Sequence, residues 1–458
     1  MGPTGMAQDH PGIYYKNALL LKLGTMIRLI ETGNTITFCS SQDHATFMHE
    51  YSHYLTNIST VAGIGEILYL HELLMLFAET LTQLGESKGE SSLAIADQNL
   101  SRQIIQLISD LRGSEEPIDL AYESNLDFYR IVGVQKKKLT HSLNGAQLSL
   151  TRVELTIRGD CPSGIIDTHF LFGSTAIDEG LAYEFDQAIG GNTSPVFPYQ
   201  VLRMLIEYYV KEVSSLEVCA LASIALLSSD PAGTLITLLE CYQSLDKTGR
   251  EMEALKSLWN SVKGIFSDSA MRAIRDEFNA LHDRIVGHGT MPYTIEFLRI
   301  LCEGTLARRI EGCIPLLDLE IPLLSHRQED LIHLLQQNCP CNAILKVNGQ
   351  PKWMRFADYR LPIGGREFQA STLLAVLQCQ VHYLEAHQIN GRFVPSSIVP
   401  PTGCPFESVC QNERRANFAE ICEQHPWHIY SRDDEPREKC PYGAAVAFLL
   451  GTEEFDIS

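Results

Sequence analysis

His49 and His53 stand four residues apart, with Glu50 next to the first of them. On a helix that spacing raises both imidazoles from one face, a turn apart, where they can reach a single Zn2+. Glu50 falls where its carboxylate can hold a water against the same ion. The chemistry written there is metal-assisted hydrolysis, with a carboxylate as proton carrier. The flanks agree: Thr46-Phe47-Met48 and Tyr54-Leu55 carry no charge, and Glu50 is the one charged residue from 45 to 57. The bland alternative is a pair of surface histidines on an amphipathic helix.

A catalytic zinc site needs a third protein ligand, and the segment Ile177-Asp178-Glu179-Gly180-Leu181-Ala182-Tyr183-Glu184 offers one. Together with His49-Glu50-Tyr51-Ser52-His53 it resembles the gluzincins, the thermolysin-like and aminopeptidase-like zinc metallopeptidases. In those families an Asn/Asp-Glu-Gly/Ala segment opens a second helix whose glutamate completes a His2Glu site. The resemblance covers two short patches and implies Glu179 as the third ligand. It departs from the family in two ways: residues 54 to 178 separate the patches, further than in many gluzincins, and Tyr183 stands where thermolysin-like enzymes place an aspartate that bonds a zinc histidine. Tyr183, Glu184 or Asp178 is left to fix the imidazole tautomer. Without a metal, Glu179 would be an ordinary first-turn carboxylate favoured by the helix dipole.

Other histidines compete for these roles. His44 lies five residues before His49 and is turned away from its face, and His71 sits in an apolar run that reads as helix packing. His141 is also near in sequence. His169 belongs to a strand-like run just before the Glu179 segment, which makes it, with Tyr183, a candidate to stabilise the transition state.

The elements that must position these groups follow from periodicity. Residues 13–23, 25–31 and 35–40 read as strands separated by Gly24 and Gly33-Asn34. Ser40, Ser41 and Asp43 then supply capping chemistry for a helix over about 42–57. By the resemblance, the strand at Thr35-Ile36-Thr37-Phe38 would offer its edge to an extended substrate. Helices are expected over 61–84 and 96–112, then strands over 126–134, 138–143, 147–158 and 165–172, with a hairpin at Asn144-Gly145. From Ala176 the pattern is helical, in segments at 198–213, 216–227, 232–245, 251–266, 269–286, 294–311 and 328–337. A hairpin over 344–360 turning at Asn348-Gly349 and a helix over 371–387 follow.

Beyond a proline-rich joint at 394–405 lies a second chemical signal. Cys404, Cys410, Cys422 and Cys440 are separated by five, eleven and seventeen residues, with His425 and His428 among them. Four soft ligands suit a closed structural zinc site or an iron–sulfur cluster. The spacing matches no zinc ribbon or finger, so four buried thiols are the plain alternative. Cys339-Pro340-Cys341 lacks the C-x-x-C geometry of a redox pair.

Composition bounds the rest. The chain has 458 residues, 45% of them hydrophobic, enough for a catalytic domain and smaller units. A net charge of −20 argues against nucleic acid as a partner. Lys136-Lys137-Lys138 reads as a solvated strand or turn. The longest apolar stretch, 61–78, carries Glu66, His71 and Glu72, which argues against a membrane span. Thirteen cysteines, an odd and scattered set, fit a reducing compartment, and no secretory signal is evident at a start that reads as a short leader ahead of Met6. A cytoplasmic location is expected.

The resulting expectation is an α+β fold. It has a zincin-like core over 1–195 with a small N-terminal sheet, a mainly α-helical unit over 196–393 and a cysteine-rich module over 394–458. The resemblance implies a zinc-dependent endopeptidase acting on protein or peptide substrates, with Glu50 as general base. A large helical half suggests regulation by a protein partner, of the kind met in bacterial stress or anti-phage systems. An inactive zincin serving as a scaffold, a zinc hydrolase of a non-peptide substrate and a cysteine-dependent hydrolase are the alternatives.

Overall fold

Capping decides where the helix that carries His49 and His53 begins. Ser40, in extended conformation, accepts a hydrogen bond from the Asp43 backbone N–H at 3.1 Å and starts helix α1, Ser41–Ser59. Thr60 closes it and caps the next helix, α2, Val61–Ala78, by accepting from Gly63 N–H. These elements belong to a computed structural model that describes residues 12–15, 19–23, 29–32, 35–38, 40–117, 128–143, 145–161, 164–191, 195–244, 251–317, 320, 340–347, 350–356, 358–410, 415–431 and 440–452. The helix expected over 328–337, the turn at Asn348-Gly349, Asn144 and Cys339 lie outside the described residues.

The architecture is mixed α+β, with small sheets and an α-rich C-terminal half. Four short strands precede α1: β1 Gly12–Tyr15, β2 Leu20–Leu23, β3 Leu29–Thr32 and β4 Thr35–Phe38. After α2 come α3 Ile95–Arg112, three strands β5 Phe128–Leu143, β6 Ala146–Cys161 and β7 Gly164–Phe172, and helix α4 Ser174–Ile189. Five helices follow: α5 Val201–Tyr209, α6 Ser215–Leu226, α7 Pro231–Tyr242, α8 Glu251–Gly287 and α9 Tyr293–Glu311. The chain ends with strands β8 Cys341–Val347, β9 Gln350–Phe356, β10 Arg360–Ile363 and β11 Arg366–Gln369, helix α10 Ala370–Ala386, the small pair β12 Gln388–Ile389 and β13 Arg392–Phe393, and helices α11 Arg415–Gln424 and α12 Pro441–Leu449.

The N-terminal strands are completed from the far end of the chain. β8 runs parallel to β2 and β3, and β9 folds back on β8. Residues of the expected first and second units therefore share one sheet. β4 pairs with β3 alone among the described residues, so it lies at the sheet edge, immediately before α1. A second sheet, β5-β6-β7, is a long antiparallel meander. Its Lys136, Lys137 and Lys138 are exposed on a continuous strand, and Lys136 pairs with Glu240 at 2.7 Å.

Helix α1 is the centre of the molecule. From Asp43 to Ser59 every residue is buried except His49. Such burial would be costly for so polar a helix unless its hydroxyls were satisfied. Ser52, Thr56 and Ser59 return their protons to carbonyls three or four residues back, at 2.5 to 2.9 Å. At its C-terminal end Ser59 Oγ accepts from Arg309 Nε at 2.8 Å, and Arg309 is itself held by Glu320 in a fully buried ion pair. One hydrophobic cluster runs from Leu19 to Leu449 and includes Trp427 and Tyr442 from the cysteine-rich region. The one described helix long and apolar enough to cross a membrane is α2, and two thirds of it is buried inside this fold.

Candidate metal centre

Two helices make the site. α1 packs along α4, and the contact brings the His49/His53 face against Asp178 and Glu179 across the long intervening stretch. Gly180 is what lets α5 approach: a Cβ there would stand 2.4 Å from Leu202 Cβ. The glycine after Asp178-Glu179 thus has a packing reason, the close crossing of α4 by α5.

His49 Nε2, His53 Nε2 and Glu179 Oε2 form a nearly equilateral triangle. The three sides are 3.3 Å between the imidazoles, 3.3 Å from His53 to the carboxylate and 3.4 Å from His49. Glu179 Oε2 is buried without an aligned hydrogen-bond donor. A buried carboxylate oxygen facing two ring nitrogens calls for positive charge between them, supplied by a metal ion or, without one, by a proton on His53. Among the described residues this is the one set that gathers three such ligand atoms within 4.8 Å. The arrangement is compatible with a divalent metal.

The partner that orients His53 is Asp178. His53 Nδ1 lies 3.1 Å from Asp178 Oδ2, both side chains being almost fully buried. With a metal bound, that bond would keep the ring proton on Nδ1 and leave the Nε2 lone pair for the ion. Of the other two residues open for this role, Glu184 is bound by Arg203 Nε at 2.7 Å. Tyr183 lines a side cavity with Tyr129, Gln200 and Arg203.

The electrostatics describe a hole shaped for positive charge. Burial alone would depress the His53 pKa, but the carboxylates of Glu179 and Asp178 outweigh it and hold a proton on the ring well above the usual histidine range. Burial would raise Glu179, yet His53 and His49 draw it far below the usual carboxylate range. Glu50 is also buried, one residue from the ligand His49.

Tyr199 was not among the residues singled out from sequence. It follows a cis Phe197-Pro198 bond just before α5, and its ring lies against that of His49, with centroids 5.7 Å apart. Burial, then the charges of Glu179 and Glu50, push its phenol far up, so it is a proton donor at neutral pH. No local pattern marks it; only the packing of α5 on α4 brings it to the metal ligands. His169, by contrast, is half-exposed on β7 and pairs with Glu154 at 3.2 Å. His44 is buried on α1, and His71 bonds the Ile67 carbonyl at 2.9 Å within α2. His141 pairs with Asp110 at 3.4 Å.

No family model, no curated protein and no solved structure matches this chain.

Proposed function

We propose that the protein is a zinc-dependent peptidase of gluzincin type, an endopeptidase acting on extended segments of protein substrates. The observation that carries this reading is the triangle of ligand atoms. A tetrahedral zinc ion with bonds of about 2.05 Å has its ligand atoms about 3.35 Å apart, and the three separations here are 3.3, 3.3 and 3.4 Å. An octahedral ion at the same bond length would draw them to about 2.9 Å, so the alternative of a two-histidine, one-carboxylate iron site fits less well.

Held there, zinc supplies Lewis acidity, polarising a carbonyl and making water a nucleophile at neutral pH. The chain's own residues do the rest. His49, His53 and Glu179 bind, and Asp178 keeps the His53 proton on Nδ1. Glu50 receives a proton from the attacking water and passes it to the leaving amine nitrogen. Tyr199 donates its hydroxyl proton in a hydrogen bond to the oxygen on which negative charge develops, replacing Tyr183 and His169 in that role. β4, just before α1, is an edge strand among the described residues, and such an edge could take up an extended substrate as an added strand. The ten cysteines whose side chains are described are all free thiols, which suits a reducing compartment such as the cytosol.

A mixture of unfolded proteins and peptides, incubated with the zinc-loaded chain and analysed for new termini, tests the reading. Internal cuts are expected from wild type and not from Glu50→Gln, at equal zinc content and equal melting temperature. Equal cleavage by the two proteins would overturn the mechanism, and no cleavage of any peptide by wild type would overturn the peptidase reading.

A further inference from the structure

The four C-terminal cysteines are brought into one patch by backbone structure that sequence spacing does not reveal. Cys404 N–H donates to the Cys422 carbonyl at 2.7 Å, and Thr402 N–H donates to the Gln424 carbonyl at 3.0 Å. Residues 402–404 therefore lie along the last turn of α11. A single turn of 3-10 helix, Glu407–Val409, carries the chain from Cys404 to Cys410. Cys440 is the N-cap of α12, with Pro441 at its first position. α12 packs on α10, where the fully buried Cys379 stands behind the patch.

Cys404 and Cys440 each stand directly before a proline, Pro405 and Pro441, and burial pushes both thiols up. The four sulfurs are mutually close enough for Cys404 to feel charge on Cys440, Cys422 and Cys410, and for Cys440 to feel that on Cys422 and Cys410. None of them is in a disulfide.

We propose that Cys404, Cys410, Cys422 and Cys440 ligate one thiolate-held metal centre, separate from the His49/His53/Glu179 site, which clamps residues 402–410, α11 and the start of α12 to one another. The ligand chemistry is that of a thiophilic metal, as a single zinc ion or as an iron–sulfur cluster. A zinc ion with bonds of about 2.3 Å spaces four thiolates about 3.8 Å apart. The cysteines stand more openly, since the 4.8 Å radius is met by the histidine–glutamate set and not by them. A cluster, whose thiolates ligate different irons, holds its sulfurs further apart than one zinc ion does, whereas zinc would draw them inward. With four protein ligands the centre is closed and serves structure, not hydrolysis.

The test is metal and acid-labile sulfide analysis of the full-length chain purified without oxygen, for wild type, Cys404→Ser, Cys440→Ser, Cys379→Ala and His53→Ala. Wild type is expected to carry metal beyond the one equivalent that His53→Ala removes. The Cys404 and Cys440 variants lose that surplus, while Cys379→Ala keeps it. Loss of one zinc without sulfide identifies a zinc centre; loss of iron together with sulfide identifies a cluster. X-ray absorption of wild type covers the case in which the serine variants fail to fold: the surplus metal should show a sulfur shell at about 2.3 Å. Absence of surplus metal from wild type, its retention in both serine variants, or a shell of nitrogen and oxygen alone would each overturn the proposal. His53→Ala keeps the cysteine metal, so failure of this proposal leaves the hydrolytic reading untouched, and the reverse holds too.

Discussion

The His53 ring is held from both sides. Asp178 accepts from Nδ1 at 3.1 Å while Nε2 faces Glu179 at 3.3 Å, so the ring's tilt is decided before any ion arrives. Asp178→Asn should therefore weaken zinc binding by roughly 10- to 100-fold, read by competition with a chelator, while leaving the fold intact. Tyr199 makes a different prediction. Tyr199→Phe keeps the ring against His49 and removes only the proton donor, so zinc content should hold while kcat falls by about 10²- to 10³-fold; Tyr183→Phe should change neither. The contrast marks what was legible at this scale. His49, Glu50 and His53 are readable because their relation is one helical turn, a local quantity. Glu179 needed a family resemblance, and Asp178 was one of three open choices for the orienting partner. Tyr199 has no local relation to the ligands and is a product of tertiary packing.

At the scale of elements, one contact braces each of the two site helices, α4 and α1. Gly180 lets α5 cross α4, and a methyl there would meet Leu202 at 2.4 Å. Gly180→Ala should cost about 1–3 kcal/mol in unfolding free energy by overpacking and should lower activity further by displacing Tyr199, just ahead of α5. The second contact is Arg309, which fixes Ser59 at the end of α1 and is neutralised by Glu320. Both partners are fully buried, so Glu320→Ala strands a charge and should destabilise the chain by about 3–5 kcal/mol, measured by denaturant unfolding. Element boundaries set by caps were readable, as Ser40 shows for α1. Breaks inferred from charge or polarity were not. Residues 135–137 separate two expected strands, yet β5 is continuous there, and Lys136, Lys137 and Lys138 pair with Val153, Arg152 and Thr151 as the solvated strand that is one reading of this run. The break expected near residues 267–268 is likewise absent, and α8 runs unbroken from Glu251 to Gly287. Nor could periodicity foresee β8 joining β2 and β3, since that pairing spans most of the chain.

The whole molecule has a built-in acid sensitivity. His71, His382 and His387 are held neutral, burial pushing each down to about 4. Each finds a neutral partner: the Ile67 carbonyl for His71, the Tyr442 hydroxyl for His382, the Tyr383 carbonyl and Ser396 hydroxyl for His387. Unfolded, they would take up protons below about pH 6.5. Between about 6.5 and 4 the unfolded chain binds more protons, so stability is present above that window and is lost as pH falls through it, at about 1.4 kcal/mol per pH unit for each histidine. Unfolding free energies across that range should show the decline, and His71→Gln should flatten it by one histidine's share. The α+β class and the helical weighting of the C-terminal half follow from periodicity that any window of the sequence contains. The joining of Leu19 and Leu449 in one core does not.

The hydrolytic reading depends on a zinc ion between α1 and α4. Crystals of the full chain grown with zinc, with anomalous differences collected on either side of the zinc absorption edge, test it most directly. The account predicts an edge-dependent peak about 2.0–2.2 Å from His49 Nε2, His53 Nε2 and Glu179 Oε2, with a fourth position open to water beside Glu50. A well-ordered α1–α4 contact with no such peak, or one whose zinc is bound without Glu179, would contradict it.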